Sequence, residues 1–193
     1  MRLTVLKAFH LLALGLWFGG AAFFNFVTAL TIFETFPKVV DDGPSDRTAH
    51  QRIIRPDASP DERKALASAL AGSAVGPVFP KYFAWQAACG FVALVTAAAW
   101  WHRGGVHRWR VVVVGAAVVT VAAGWPLSDA VSHLRLARFD PDATVSAAAK
   151  AAFGPWHLAS LALSTVTVAL AGVALAMGAK LPDGERSPGE RPA

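Results

Sequence analysis

The amino-acid sequence predicts an all-α fold, an integral membrane four-helix bundle with a short extramembrane helix in its first loop. Three observations carry that reading. Residues 8–33, 82–101, 111–128 and 151–179 contain no Asp, Glu, Lys or Arg. A helix rising about 1.5 Å per residue needs about 20 apolar residues to cross a hydrocarbon slab roughly 30 Å thick, and each stretch meets or approaches that length. Charge is instead confined to the tails and joints, whereas a soluble protein keeps one wet face on each helix and interleaves charge every few residues. Trp placement agrees: Trp100, Trp101 and Trp109 flank the second joint, Trp85, Trp125 and Trp156 sit near the opposite span ends, and only Trp17 lies well inside, as expected of indoles that collect at interfaces.

Taken in order, span one is expected over 4–36, closed by Pro37, which cannot continue a helix and disfavours helical geometry before it. The apolar run is too long for a signal peptide, whose core is about 7 to 15 residues, so it reads as an uncleaved span. A loop insertion follows over 38–76. Within it Ser59-Pro60-Asp61-Glu62 reads as a capping box with Pro at the first helical position, leading a short helix that stops at Gly72. Span two is expected over 78–101 with Pro80 in its first turn, span three over 109–134, and span four over 152–179 with Pro155 near its start. The tail 181–193 is Pro, Gly and charge without periodicity and reads as disordered.

The net charge of +5 suits helix orientation better than nucleic acid, because no basic stripe with interleaved aromatics lies outside the apolar blocks. The N-terminal segment, second joint and tail hold eight Lys/Arg, against ten in the much longer first and third joints. That density places both termini in the cytoplasm and the protein in the cell (inner) membrane. Cys89 is the lone cysteine, so no internal disulfide can form.

Polar residues inside spans are the exceptions that need an account. At 100° per residue, His10, Trp17 and Thr28 fall within about 20° of one another, with Asn25 about 60° away. Gly15 and Gly19 form a Gly-x-x-x-Gly pair on the opposite face, a surface for a homo-oligomer or a membrane partner. Span four carries a matching stripe of His157, Ser160, Ser164 and Thr167. The two stripes read either as packing faces or as a polar seam between spans one and four. Beyond Pro126 the apolar rhythm of span three continues, which makes Asp129 and His133 neighbours at i, i+4. With Tyr82, Glu34 and His157 on the same side, they form a mouth cluster that could relay a proton or hold a divalent metal through Asp129, His133 and His157.

The runs Phe9-His10-Leu11-Leu12 to Trp17-Phe18-Gly19-Gly20, Val78-Phe79-Pro80-Lys81-Tyr82-Phe83 and Phe153-Gly154-Pro155-Trp156-His157-Leu158 resemble the transmembrane-protein-205-like family, domain of unknown function 4149. The resemblance implies a four-span membrane protein in which His10, Phe79, Pro80, Tyr82, Phe83 and His157 are the family-type elements. It implies no settled activity. The chain departs from the family pattern in a long insertion over 47–73 and in Ser164, where the family has Asn.

Function is therefore expected to be the handling of a small solute or ion along the seam, in a non-enzymatic protein surrounded by the lipid bilayer and without a cofactor. The alternatives are a haem- or metal-binding membrane protein and a helix-docking assembly partner. Copper(I) is disfavoured, because the soft ligands are only Met1, Met177 and Cys89; haem needs only one axial His. Serine-protease-like triads, phosphate-cradling Gly loops and Cys-x-x-Cys pairs do not occur.

Overall fold

The computed structural model describes residues 2–41 and 58–181. Its elements are α1 (Arg2–Phe23), a π-helical turn (Phe24–Thr28), α2 (Ala29–Asp41), α3 (Pro60–Val75), α4 (Val78–Ala98), α5 (Gly105–Ala137) and α6 (Ala143–Ala176), closed by a 3₁₀ turn (Met177–Lys180). Among the described residues there is no strand. Four helical stretches, Leu3–Val40, Pro60–Ala98, Gly105–Ala137 and Ala143–Lys180, are long and apolar enough to cross a membrane. The protein is an all-α, multi-pass membrane protein. Large apolar side chains far from the helix ends are bare: Phe91 is 67% exposed, Val119 66% and Leu158 67%. Only a hydrocarbon solvent makes such a surface favourable.

Local chemistry explains some boundaries and overrules others. Ser59 caps α3 through both arms of the capping box: its Oγ accepts from the Glu62 N–H at 3.2 Å, and the Glu62 carboxylate accepts from the Ser59 N–H at 2.8 Å. The expected stop at Gly72 does not occur. α3 runs on to Val75, and Gly76 closes it with its N–H on the Gly72 carbonyl at 2.9 Å. Nor does Pro37 end span one, because α2 continues to Asp41 with Pro37 inside it and packs against α3; that tertiary contact offsets the hydrogen bond the ring removes. α5 passes through Pro126 without a break. α6 starts well before Pro155, at Ala143, where the Asp142 carboxylate accepts from the Thr144 and Val145 N–H groups at 2.7 and 3.4 Å. Residues 42–57 of the first-loop insertion and 182–193 of the tail expected to be disordered lie outside the described residues.

The chain divides into two compact units, one formed by Met1–Ala21, Ala84–Gly124 and Ala162–Ala193, the other by Ala22–Phe83 and Trp125–Leu161. In the first, the four spans close a ring in chain order. A Cβ on Gly90 of α4 would lie 2.9 Å from the Trp17 ring of α1 and 3.0 Å from Val118 of α5. The Thr167 hydroxyl of α6 reaches Thr120 of α5 at 2.8 Å, and a Cβ on Gly172 of α6 would lie 3.0 Å from Phe18 of α1. This is the connectivity of an up-and-down bundle. The second unit is held by aromatic contacts: Phe24 stacks on Tyr82 at 4.3 Å between centroids, and Phe83 on Trp125 at 6.0 Å.

Candidate functional site

In the first unit the polar face of α1 is wholly buried. His10 and Trp17 are both 0% exposed. The His10 Nδ1 lies 2.8 Å from the Thr96 Oγ1 of α4, and the Thr96 hydroxyl also lies 2.7 Å from the Val92 carbonyl. When the hydroxyl donates to that carbonyl, Nδ1–H donates to Thr96; when the hydroxyl donates to Nδ1, the ring proton is on Nε2. About two turns further on, the Trp17 indole N–H donates to the Gln86 Oε1 at 3.2 Å.

Beside His10 stands the least expected group of the molecule. Arg110, at the entry to the apolar part of α5, is 0% exposed. Its Nη1 donates to the His107 Nδ1 at 2.9 Å and its Nη2 to the Met177 carbonyl at 2.6 Å, both neutral acceptors. Its guanidinium lies 6.0 Å from the centroid of the Trp100 ring, and Trp100 in turn meets His10 edge to face at 5.3 Å. Three buried nitrogens here have no hydrogen-bond partner: the His10 Nε2, the Trp100 Nε1 and the Arg110 Nε. Among the described residues no ion pair joins Arg110 to a carboxylate. A buried cation without a counter-charge is expensive, and in a membrane it marks a site of function more often than one of packing.

In the second unit the Asn25 side-chain amide, within the π-helical turn, donates to the Tyr82 hydroxyl at 2.8 Å. A cavity of about 450 Å³ lies between α3, the start of α4 and the end of α5. Arg135 on its wall is 6% exposed, donates weakly to the Gly72 carbonyl at 3.4 Å and lies 5.8 Å from the Phe79 ring. Arg138 sits 3.9 Å over the Phe153 ring; burial pushes its pKa down from the usual arginine range.

The structure brings some of the sequence-predicted residues together and disperses others. The span-one stripe finds its hydrogen-bond partners on span two, through His10–Thr96, Trp17–Gln86 and Asn25–Tyr82. Thr28 is half-buried in the π-helical turn. On span four, Ser160 and Ser164 are half-buried, and His157 stacks on Phe153 at 5.2 Å. Asp129 and His133 meet at 3.7 Å, as their spacing predicts, but their side chains are 73% and 78% exposed; Glu34 is exposed too. Among the described residues no three His, Cys, Asp or Glu side chains converge to hold a metal. Arg135 and Arg138 both act electrostatically on His157, a field that repels cations. Gly15 and Gly19 have open space where a Cβ would stand.

Sequence reasoning missed Arg110 and the burial of Trp100, which is 1% exposed. By composition Arg110 is indistinguishable from Arg103 and Arg108, charges of the second joint that suit helix orientation. The available signal was its position directly against the apolar run of α5, in a joint with no acid to pair with it.

No curated protein and no solved structure matches the chain. Residues 59–127, which comprise α3, α4 and most of α5, match the family model of a domain of unknown function (DUF4149).

Proposed function

We propose that this membrane protein takes a small monovalent anion into its interior at the His10, Trp100 and Arg110 cluster, and that it belongs to the transmembrane-protein-205-like family. The single observation behind the anion reading is the fully buried Arg110, which bonds only neutral acceptors, leaves its own Nε unpartnered and stands beside two further unpartnered buried nitrogens. The indole N–H and the guanidinium Nε–H are donors only, and the imidazole Nε2 joins them when Nδ1 accepts from Thr96. Such a set accepts electron pairs and negative charge, and it repels a metal cation. All four spans contribute, through His10, through Thr96 and Trp100, through Arg110, and through the Met177 carbonyl. Ion handling thus rests on the face of span one that the sequence singles out, with span two rather than span four across from it.

Both termini face the cytoplasm in this reading, since the second joint carries Arg103 and Arg108 without an acid. The resemblance to the family rests on the Phe79-Pro80-Lys81-Tyr82-Phe83 motif, which lies inside the segment matched by the family model.

The test is the thermal stability of the detergent-purified chain in chloride, bromide or nitrate against gluconate at constant ionic strength. A ligand that binds only the folded state stabilises it by about 2.7 kcal/mol at a hundredfold excess over Kd. Wild type is expected to rise in Tm with the small anion, and Arg110→Met to lose that rise. A Tm that is the same in chloride, bromide, nitrate and gluconate refutes the proposal.

A further inference from the structure

We infer that the cavity of the second unit binds an amphipathic organic anion, with its carboxylate or phosphate on Arg135 and its apolar body against Phe79, Phe83 and Trp125. The site is separate from the Arg110 cluster and does not depend on it. Its volume of about 450 Å³ lies within the range of small-molecule pockets, which are mostly apolar with a few placed polar groups. This wall carries three aromatic rings, the Ser73, Ser128 and Ser132 hydroxyls, the Asp129 carboxylate and one guanidinium.

Arg135 is built into the wall rather than draped over it. Its stem crosses α3 at Gly72, where a Cβ would come within 2.5 Å of the Arg135 Cδ. Only the absent side chain of Gly72 lets the arginine lie there and carry its charged end to the cavity. Once there, the guanidinium has one long bond to a carbonyl and the face of Phe79, which leaves donors for a bidentate partner. Asp129 is the one carboxylate on the wall. Its side chain is 73% exposed and turned to His133 at 3.7 Å, away from the role of counter-ion. Arg138 adds a second positive charge just past the end of α5, so the field over the cavity favours an anion. The aromatic surround favours one with an apolar body over a bare inorganic ion.

The shared chemistry, an anionic head on an apolar body, has two sources, a lipid-derived chain or a water-borne aromatic acid. Two probe pairs separate them: laurate with its neutral analogue dodecanol, and 1-naphthoate with 1-naphthalenemethanol. Each is titrated into the full chain in a neutral maltoside detergent, with Tm and the fluorescence of the tryptophans, among them Trp125, as readouts. An anionic probe is expected to raise the Tm while its neutral partner does not, and Arg135→Gln is expected to weaken that binding about tenfold or more. A response to laurate alone assigns a membrane-derived ligand, and one to naphthoate alone a water-borne one. Neutral and anionic probes acting alike, or neither acting, overturns the inference. The wild-type comparison decides this even if Arg135→Gln fails to fold. The chloride series on Arg110→Met reports separately on the first unit.

Discussion

Gly90 offers a sharp test of how the first unit is packed. A methyl group at this position would stand 2.9 Å from the Trp17 Cη2, 3.1 Å from Cζ3 and 3.0 Å from the Val118 Cγ2, whereas carbon atoms rest at about 3.5 to 4.0 Å. The two obstacles belong to different helices, so relief from one presses on the other. Trp17 cannot swing aside, because its ring is 0% exposed and its N–H is held by Gln86. Overpacking of this kind costs about 1–3 kcal/mol, and the better helix propensity of Ala returns at most about 1 kcal/mol. Gly90→Ala should therefore destabilise the protein by about 1–2 kcal/mol. Gly15→Ala on the open face of α1 has nothing to meet and should be neutral or stabilising by up to about 1 kcal/mol. Both are measured as unfolding in mixed micelles of rising SDS content, followed by tryptophan fluorescence. A Gly90→Ala protein as stable as wild type would refute the packing argument. A loss of stability in Gly15→Ala would instead place that face against a second helix, as the Gly-x-x-x-Gly spacing suggests.

Thr96→Val keeps the shape of Thr96 but leaves the His10 Nδ1 unpaired beside an already unpaired Nε2. A double-mutant cycle with His10→Ala in the same unfolding assay should give a coupling of about 0.6 to 1.7 kcal/mol, and a coupling of zero would show the bond contributes nothing. The Asp142 carboxyl is held below its usual range, first by the Thr144 hydroxyl and then by the Thr144 and Val145 N–H groups. A lowered folded-state pKa contributes stability above the unfolded value of about 3.9 that is lost as pH falls through the folded value. Amide exchange at the start of α6 should accordingly be slower in wild type than in Asp142→Ala at pH 6, with the difference fading on acidification; a difference that persists at acid pH counts against the carboxylate as the cap. Purified protein should show no Soret band and no stoichiometric metal, and either signal would restore the haem- or metal-binding reading.

The architecture was legible because lipid imposes a rule on long stretches: charge leaves every segment that must cross, and Trp collects at its ends. The α3 start was legible for a local reason, since Ser59 and Glu62 satisfy each other's backbone donors within one turn. Pro37 and Gly72 misled for the opposite reason. Each is a helix breaker by intrinsic preference, yet α2 runs through Pro37 where it packs on α3, and α3 runs through Gly72 to the cap at Gly76. The polar face of span one was visible in the spacing of His10 and Trp17, but periodicity reports a face and not which helix covers it. The π-helical turn has no spacing signature and shifts the phase on which any helical wheel beyond Phe24 depends. Arg110 went unrecognised as a buried group because a basic residue at a span edge has the same composition whether it orients the chain in the membrane or serves the interior.

The bond from Arg110 to the Met177 carbonyl also gives the molecule a mechanical character. It ties the last turn of span four to the first turns of span three, just ahead of the point where the chain leaves the helices at Leu181. A pulling force applied at the C-terminus meets this clasp before it can draw out any of α6. Extraction of single molecules from a bilayer should thus show an early force peak that vanishes in Arg110→Met, after which span four unravels turn by turn under lower load.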